Sequence, residues 1–311
     1  MGWGRTRGEL IHLYDHDPVL LQRCKLIMDL GPSDYSDPTT ADLSVMFSEF
    51  NPSEVDDATD NGTRLGIGGY GSVYKAELRK TIVAIKANDY RSKQGRREFD
   101  QEVEILRHVR HENLVKLIGV CSMRLALIYE FLPNGTLEHR LAGGEMFSWV
   151  ERIRVAMSIC SALEFLHNVR PAPIAHGDLK PGNILFDERY VCKLGDFGIS
   201  RPLKYRSDTA TPGHTTKEGK GTRYYIDPEF IRSGRLTPRS DVYAFGIIML
   251  QLVTGRDPPE NLRTQVEENL SEHLVDTRLN LDDKSRLDAM EMTTGESVPT
   301  LQLKCVRCLN P

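Results

Sequence analysis

HGDLKPGN, at His176–Asn183, and DFG, at Asp196–Gly198, are the two stretches that decide the fold of this chain. The first brings a carboxylate, a cation and an amide into one short loop. Asp178 can accept the proton of an attacking hydroxyl, Lys180 can stabilise charge on a transferred phosphoryl group, and Asn183 can hold a metal ion. The second stretch adds another metal-binding carboxylate, followed by a glycine that frees the next segment. Together the two stretches predict a site that moves a phosphoryl group.

A glycine-rich segment, GIGGYGSV at Gly66–Val73, lies upstream of this loop. The glycines Gly66, Gly68 and Gly71 let the backbone come close to phosphate oxygens because no Cβ intervenes. The same spacing occurs in dinucleotide-binding folds, but those folds place a helix directly after the glycines. Here Ser72–Leu78 has the pattern of a strand. We therefore interpret the glycines as the tip of a hairpin that covers phosphates.

Lys86 and Glu102 are two opposite charges in apolar segments. Lys86 ends a strand-like VAIK segment, in which alternation places the small Ala84 on the same face. Such a lysine either snorkels at a strand end or needs a partner, because an unpaired buried cation is costly. Glu102 lies beside the apolar stripe that Phe99, Val103 and Leu106 form on a predicted helix, so it faces inward. We therefore predict a Lys86–Glu102 ion pair that directs the ammonium toward phosphates.

The apolar patterns predict a β-rich first half and a helix-rich second half. Helices are expected over Leu20–Leu30, Phe47–Asn61, Arg96–His108, Trp149–His167 and Arg239–Thr254. Strands are expected over Ser72–Leu78, Thr81–Ala87, Leu114–Gly119, Leu125–Phe131, Ile184–Phe186 and Val191–Leu194. Ser200–Arg223 has the composition of a long polar loop, and Ser53 with Asp56 has the spacing of a capping box.

Taken in order, these motifs resemble those of eukaryotic protein kinases over about residues 60–255. The resemblance implies the α+β, bilobal protein kinase fold, in which a β-rich N-lobe carries one regulatory helix and the C-lobe is mainly helical. The expected division is an N-terminal extension or linker over 1–45, the N-lobe and hinge over 46–132, and the C-lobe over 133–311, incomplete at its C-terminal end.

The resemblance also implies which residues form the site. Residues that would bind ATP are Gly66, Ile67, Gly68, Gly71, Val73, Ala84, Lys86, Tyr129, Glu130 and Leu132, with Tyr129 as gatekeeper and Glu130–Leu132 as hinge. Residues that would act in catalysis are Lys86, Glu102, Asp178, Lys180 and Asn183. The metal would be held by Asn183 and Asp196, and the activation segment would include Asp196, Phe197, Gly198, Thr222 and Glu229. The cofactors would be ATP and Mg²⁺, with Mn²⁺ as an alternative metal.

A narrower similarity is to plant receptor-like cytoplasmic kinases, and especially to the kinase domain of plant U-box kinases, in the wider interleukin-receptor-associated/Pelle group. It rests on Tyr129–Leu137, His176–Pro181, Gly221–Phe230 and Ser240–Gly246. Lys180 resembles the serine/threonine form of the loop. Thr222, unless it is an ordinary loop threonine, would bond near Asp178. The resemblance therefore implies a kinase that phosphorylates protein serine and threonine in receptor-like signal transduction.

Departures from the family pattern leave alternatives open. Gly177 replaces the arginine that ordinarily gathers an activation-loop phosphate, as in "non-RD" kinases, so we expect weak activity or activity independent of loop phosphorylation. Glu229 would seek an arginine near the end of a full domain, and the chain stops where that arginine is expected. The alternatives are a weakly active or inactive pseudokinase or scaffold, and the kinase fragment of a U-box ubiquitin ligase. The polar loop also offers hydroxyl side chains that could be phosphorylated, although our default interpretation is that they are not regulated. These residues are Ser207, Thr209, Thr211, Thr215 and Thr216.

Composition sets broad limits on partners and location. The net charge of −4 gives no electrostatic reason to expect nucleic-acid binding. The six sparse cysteines indicate reduced thiols in an intracellular protein, and Cys305 and Cys308 lack further ligands for zinc. No stretch predicts a transmembrane helix, and Met1–Thr6 fits a myristoylation pattern only loosely because Trp3 is bulky. We expect a cytoplasmic protein, with plasma-membrane association as an alternative. Its expected partners are protein substrates and a receptor or ubiquitin-pathway protein.

Overall fold

The computed structural model describes residues 47–68, 71–143, 147–206, 209–216 and 221–255. Its helices are α1 (Pro52–Asp60), α2 (Lys93–His108), α3 (Leu137–Ala142), α4 (Trp149–Asn168), α5 (Pro228–Ser233) and α6 (Pro238–Thr254). Its strands are β1 (Ser48–Glu49), β2 (Thr63–Gly68), β3 (Gly71–Leu78), β4 (Thr81–Asn88), β5 (Leu117–Cys121), β6 (Ala126–Glu130), β7 (Ile174–Ala175), β8 (Ile184–Phe186), β9 (Cys192–Leu194), β10 (Arg201–Pro202), β11 (Lys204–Arg206), β12 (Thr209–Thr215) and β13 (Arg235–Leu236). The predictions for residues 1–45, for Leu20–Leu30 and for Cys305 and Cys308 lie outside the described residues.

Helix α1 is shorter than predicted, because Pro52 fixes its first turn. Asn51 caps the helix, and its backbone N–H donates to Glu54 Oε2 at 3.0 Å in a capping box. The predicted capping pair of Ser53 and Asp56 is therefore wrong. Asp56 instead forms a surface ion pair with the turn between β5 and β6.

A six-stranded sheet forms the first half of the fold, in the order β1-β5-β6-β4-β3-β2. β1 runs parallel to β5, and the other neighbours are antiparallel. The side chains of β4 alternate between the two faces of the sheet. Val83 and Ile85 are buried on one face, whereas Ala84 and Lys86 point to the other. The sequence does not predict β1 or β2, because β1 has 2 residues and β2 reads TRLGIG, which is too rich in glycine to resemble a strand.

Helix α2 packs against the sheet and carries Glu102. It begins earlier than predicted because Ser92 Oγ accepts hydrogen bonds from N–H groups of the first turn. Phe99 and Leu106 are buried in the main core, and Val103 packs against its edge. The predicted apolar stripe is therefore confirmed, and it turns the helix so that Glu102 faces the sheet.

Helices α4 and α6 form the framework of the second half. Ser148 caps α4 in a capping box with Glu151. Arg152, which is buried, donates to the carbonyl oxygens of Phe147 at 2.7 Å and Leu252 at 2.6 Å. Burying a cation is costly without such hydrogen bonds. Arg152 therefore ties the start of α4 to the last turn of α6.

The segment Ser200–Arg223 is not the polar loop that its composition predicts. β10 pairs with β7, and β11, β12 and β13 form a small antiparallel sheet. The partner strands β7 and β13 are 2 residues each and lie far away in the sequence. Strands this short have no periodic sequence pattern, so their pairing cannot be predicted from the local sequence.

The predicted α+β arrangement, with a β-rich half and a mainly helical half, is confirmed. Among the described cysteines, Cys121 and Cys192 are buried and Cys160 is exposed, and none of the three is in a disulfide. Burial raises the pKa of Cys192 to about 12, so this thiol stays protonated. None of the described helices is both long and apolar enough to cross a membrane.

Candidate active site

Asp178 lies at the centre of a hydrogen-bonded cluster, on the loop that follows β7. Its Oδ1 accepts from the N–H and the hydroxyl of Thr222, at 3.1 and 3.0 Å. Its Oδ2 lies 2.9 Å from Nζ of Lys180 and accepts from Nδ2 of Asn183 at 3.1 Å. Lys180 Nζ also donates to Thr222 Oγ1 at 2.9 Å. The structure thus brings together the residues that the sequence places in two separate segments.

Asp241, on α6, fixes the backbone of this loop. Its Oδ2 accepts from the N–H of His176 at 2.9 Å, and its Oδ1 accepts from the N–H of Gly177 at 2.8 Å. Gly177 has φ +80°, a conformation that favours glycine. Burial alone would raise the pKa of Asp241, but the hydrogen bond from His167, the charge of the histidines and the Gly177 N–H outweigh it and lower that pKa. The sequence does not predict this role. The segment Ser240–Gly246 supports the family resemblance, but it does not show that Asp241 binds the backbone of His176 and Gly177.

Asp241→Asn is expected to lower the free energy of unfolding near pH 7 by about 3 kcal/mol, because a buried paired charge is lost. The folded pKa of Asp241 lies below its unfolded value of about 3.9. The stability from this group is therefore complete above the unfolded pKa and is lost as the pH falls through the folded pKa. Denaturant unfolding across acid pH should show a shallower loss of stability in the variant. If the free energy of unfolding falls with pH equally steeply in the variant and in wild type, this prediction is contradicted. Asp100→Asn, at an exposed position, is the control.

Lys86 lies between two carboxylates. Its Nζ is 2.9 Å from Glu102 Oε2 and 2.7 Å from Asp196 Oδ1. The Glu102 side chain is 0% exposed, so burying its carboxylate would be costly without the Lys86 ammonium. Burial alone would lower the pKa of Lys86, but the two carboxylates raise it above its ordinary value, and the ammonium stays charged. The predicted Lys86–Glu102 ion pair is confirmed.

Asp196 has φ +63°, a strained conformation for a residue with a side chain. Lys86 holds its carboxylate, and the next residue is held as well, because the Phe197 N–H donates to Glu102 Oε1 at 3.1 Å. The Phe197 ring also meets the ring of His176 edge-on, with centroids 5.0 Å apart. These contacts fix Asp196 and Phe197 between α2 and the loop that carries His176 and Asp178.

Tyr129 adds a contact that the sequence does not predict. Its hydroxyl donates to Glu102 Oε1 at 2.5 Å. Burial and the charge of Glu102 raise the pKa of Tyr129, so the phenol keeps its proton and remains a donor. Both oxygens of Glu102 are thus engaged, one by Lys86 and the other by Tyr129 and the Phe197 N–H. Family resemblance alone points to Tyr129 in the sequence. Its hydrogen bond to Glu102 could not be predicted, since Glu102 lies on another element.

Tyr129→Phe is expected to lower the free energy of unfolding by about 2 kcal/mol, because a buried carboxylate loses one of its donors. Steady-state phosphate transfer should fall about tenfold in kcat/KM for ATP, as Glu102 loses its fixed orientation. Tyr90→Phe, at an exposed tyrosine, is the matched control. If both variants behave like wild type in unfolding and kinetics, the hydrogen bond does not orient Glu102.

The glycine-rich hairpin joins β2 to β3, with Gly66 opposite Val73 and Gly68 opposite Gly71. A Cβ on Gly71 would lie 2.1 Å from the carbonyl oxygen of Ala87, so the sheet itself requires glycine there. A Cβ on Gly66 would meet nothing within 4 Å. Gly66 therefore borders open space, as expected for a residue that phosphates approach. Gly69 and Tyr70, at the tip, lie outside the described residues.

The residues predicted to bind adenine lie on β4, at the end of β6 and just beyond it. Ala84 is half-buried against the main core, and Leu132 is buried. The Glu130 carboxylate pairs with Lys193 Nζ at 2.8 Å and accepts from the Lys116 N–H at 2.8 Å. The side chain of Glu130 thus ties the hinge to β9, the strand that leads to the DFG motif. The sequence does not predict this link, because a lysine in a short strand has many possible partners.

Glu229 differs from its prediction. Its side chain is 57% exposed on α5 and pairs with Arg232 at 2.6 Å. The expectation that Glu229 lacks a partner is therefore wrong. Glu229 instead uses a neighbour one helical turn away, a pairing that solvent-exposed helix surfaces commonly show.

Asn183 and Asp196 present the oxygen atoms that a divalent metal would need. Asn183 Nδ2 donates to the carbonyl and the carboxylate of Asp178, which leaves its amide oxygen for another partner. Within the described ranges, no group of three or more His, Cys, Asp or Glu is arranged to hold a metal. Mg²⁺ is often bound by one or two carboxylates together with phosphate oxygens, and does not need such a group. The residues therefore fit a metal that arrives with a nucleotide.

This fold and this site define a protein kinase domain. The family model described as "Protein kinase domain" matches residues 59–302, more than half of the chain. The chain therefore belongs to the protein kinase family.

The curated proteins to which the chain is similar come from plants. It is 45% identical over 264 residues to U-box domain-containing protein 70 of Oryza sativa subsp. japonica, covering 82% of this chain and 33% of that protein. It is 45% identical over 228 residues to U-box domain-containing protein 33 of Arabidopsis thaliana, covering 71% and 27%. It is 38% identical over 262 residues to a probable LRR receptor-like serine/threonine-protein kinase of Arabidopsis thaliana, covering 79% and 29%. The predicted resemblance is confirmed, and the chain spans about a third or less of the length of these relatives.

Proposed function

We propose that this protein transfers the γ-phosphate of ATP to serine and threonine hydroxyls of protein substrates. The observation that carries the proposal is the cluster in which Asp178 meets Lys180 and Thr222 within 3.1 Å. Asp196 and Lys86 complete it through their 2.7 Å contact. A carboxylate, two cations and a second carboxylate meet the needs of phosphoryl transfer, which depends mainly on positioning and charge.

Each residue has a separate task in this proposal. Asp178 orients the attacking hydroxyl and accepts its proton. Lys180 stabilises the charge on the phosphoryl group as it passes, and Lys86, held by Glu102, binds the α- and β-phosphates. Thr222, which bonds both Asp178 and Lys180, keeps the substrate-binding segment beside them.

The nucleotide lies between the hairpin and the hinge in this proposal. The backbone of Glu130–Leu132 binds adenine in this proposal, and the Glu130 side chain, which pairs with Lys193, holds that segment against β9. Asn183 and Asp196 hold Mg²⁺, which neutralises phosphate charge when bound, and Mn²⁺ suits the same oxygen donors.

Phosphate transfer can be tested with purified protein, ATP and a generic basic protein substrate. We expect phosphoserine and phosphothreonine in the substrate when Mg²⁺ is present and none when it is chelated. Nucleotide binding is measured separately, by the shift in thermal unfolding on addition of Mg-ATP. A folded protein that binds ATP and transfers no phosphate would overturn the proposal and leave a pseudokinase or scaffold.

The relatives named as U-box proteins support a second proposal, on cellular context. We propose that this kinase domain acts in a longer protein with a ubiquitin-pathway partner, since the matched region covers only 33% and 27% of two similar proteins. Transcript sequence downstream of the Pro311 codon tests this directly. A U-box reading frame would support the proposal, and a stop codon there in every transcript would contradict it.

A further inference from the structure

Gly177 is covered on two sides by residues near the start of α6. Its N–H donates to Asp241 Oδ1 at 2.8 Å. A Cβ added to Gly177 would lie 3.4 Å from Leu236 Cδ2 and 3.8 Å from Leu236 Cδ1, which is ordinary van der Waals contact. Leu236, on β13, is 4% exposed. A buried apolar side chain thus lies against the backbone at the position where the family's arginine would begin.

Leu236 belongs to a small apolar cluster that is separate from the main core, and we call it the Leu236 cluster. Its buried members are Ala175, Leu203, Phe230 and Leu236, and Ile226 packs against them. Ala175 ends β7, directly before the catalytic loop, whereas the other members follow the DFG motif in the chain. Burial of apolar surface requires no charge, so these contacts form whether or not the activation segment is phosphorylated.

The Leu236 cluster joins an early part of the activation segment to the strand that precedes the catalytic loop. Leu203 is 1% exposed, and its N–H donates to the carbonyl oxygen of Pro173 at 2.7 Å. Directly before Leu203, β10 pairs antiparallel with β7. The buried hydroxyl of Ser200 donates to the carbonyl oxygen of His176 at 2.7 Å. This part of the segment is therefore held by apolar contacts and by hydrogen bonds between neutral groups.

The same cluster reaches the later part of the segment, which contacts Asp178. A Cβ on Gly221 would lie 3.0 Å from Ile226 Cγ1 and 3.3 Å from the carbonyl oxygen of Gly177. Gly221 has φ +141°, a conformation that favours glycine, so its backbone can lie directly on the catalytic loop. The next residue, Thr222, donates to Asp178 through both its N–H and its hydroxyl. Contacts thus lead from the Leu236 cluster to the catalytic carboxylate.

Charge offers no comparable link on the catalytic loop. Lys180 is the only lysine or arginine in the segment His176–Asn183. Its ammonium already lies 2.9 Å from Asp178 Oδ2 and donates to Thr222 Oγ1 at 2.9 Å. A phosphate on the activation segment therefore meets no guanidinium on this loop that could order it.

We propose that Leu236 is a positioning residue for phosphate transfer, which packs on Gly177 and holds the activation segment on the catalytic loop without phosphorylation of that segment. The Leu236 cluster keeps Thr222 beside Asp178, so the substrate-binding segment and the proton acceptor stay together. The kinetic consequence of this inference rests on the proposed function, whereas its structural consequence does not depend on phosphate transfer.

Truncation of Leu236 tests the kinetic consequence. In phosphatase-treated protein, Leu236→Ala should lower kcat about tenfold with KM for ATP little changed, because the residues predicted to bind ATP are untouched. Leu236→Met conserves the side-chain volume and should keep activity near that of wild type. Leu78→Ala is the matched control, since Leu78 is 5% exposed in a different apolar cluster, on β3. An unchanged kcat in Leu236→Ala, or an equal loss in Leu78→Ala at the same folded fraction, would overturn the proposal.

Phosphatase treatment of wild type tests whether the segment is held without phosphate. We expect the same initial rate of substrate phosphorylation before and after treatment, with removal of phosphate verified by mass spectrometry. A loss of rate that is restored when the activation segment is phosphorylated again would overturn the proposal, because phosphate would then do what we assign to Leu236.

Hydrogen exchange gives a readout that does not depend on activity. The amides of Thr222 and Leu203 donate to Asp178 Oδ1 and to the Pro173 carbonyl oxygen, respectively. Leu236→Ala should speed exchange of both amides, whereas amides in the core of α4 keep their rates. Leu236→Val removes less of the side chain and provides the same test if the alanine variant folds poorly.

The outcomes of the exchange experiment separate this inference from the proposed function. Unchanged exchange at Thr222 and Leu203 in the Leu236 variants would overturn the inference even in an active kinase. Equally fast exchange in Leu78→Ala would also overturn it, because the effect would then come from a general loss of stability. Faster exchange confined to the Leu236 variants, in a protein that transfers no phosphate, would support the contact and reject only the proposed function.

Discussion

Asp178→Asn is expected to lower kcat by about a thousandfold while the protein stays folded and binds ATP. Asparagine keeps the size of the side chain, but it cannot accept the proton of the attacking hydroxyl, and such proton transfer contributes about 10² to 10⁴ in rate. It also loses the negative charge that Lys180 Nζ meets at 2.9 Å. Steady-state phosphate transfer to a protein substrate measures the loss, and the ATP-induced thermal shift measures binding.

The matched control for Asp178 is Asp100→Asn, at an exposed position on α2. It changes the net charge by the same amount and should keep full activity. A loss of less than about tenfold in Asp178→Asn, with unfolding unchanged, would show that this carboxylate is not the proton acceptor.

Lys86→Met should lower kcat/KM for ATP by about 10² to 10³, because a preorganised charge directed at phosphate oxygens is lost. The change should also destabilise the protein, since Glu102 and Asp196 both lose their cation. A buried charge left without its partner typically costs about 3 to 5 kcal/mol. Enzyme kinetics and denaturant unfolding measure the two effects separately.

Lys86→Arg separates charge from geometry in the same position. Arginine keeps a positive charge for the two carboxylates, but its planar group cannot reproduce a compact ammonium. We expect stability near that of wild type and activity near that of Lys86→Met. Full activity in Lys86→Arg would show that charge alone suffices, and Lys93→Met, exposed at the start of α2, controls for loss of a surface lysine.

The sequence predicts those parts of the site in which chemistry demands particular residue types close together in the chain. Asp178, Lys180 and Asn183 lie within one loop, so their meeting needs no knowledge of the fold. The Lys86–Glu102 pair is also predictable, because two buried opposite charges need each other. Both rest on local patterns or on a strong energetic requirement.

Contacts between distant elements could not be predicted in this way. The bond between Tyr129 and Glu102 joins a strand to a helix, and many other donors could have filled that role. Asp241 acts on backbone N–H groups, which every sequence contains. The small sheet in the activation segment likewise depends on pairing with β13, whose 2 residues carry no strand pattern. In each case the partner is set by the fold and not by the residues nearby.

The hydroxyl of Tyr129 also has a consequence for the design of small molecules that compete with ATP. A compound that extends past this residue must displace the phenol from Glu102 and leave a fully buried carboxylate short of one donor. An apolar extension should therefore weaken binding, whereas an extension that carries its own N–H or O–H could take over the place of the phenol. Selectivity would then depend on matching a donor rather than on filling a space.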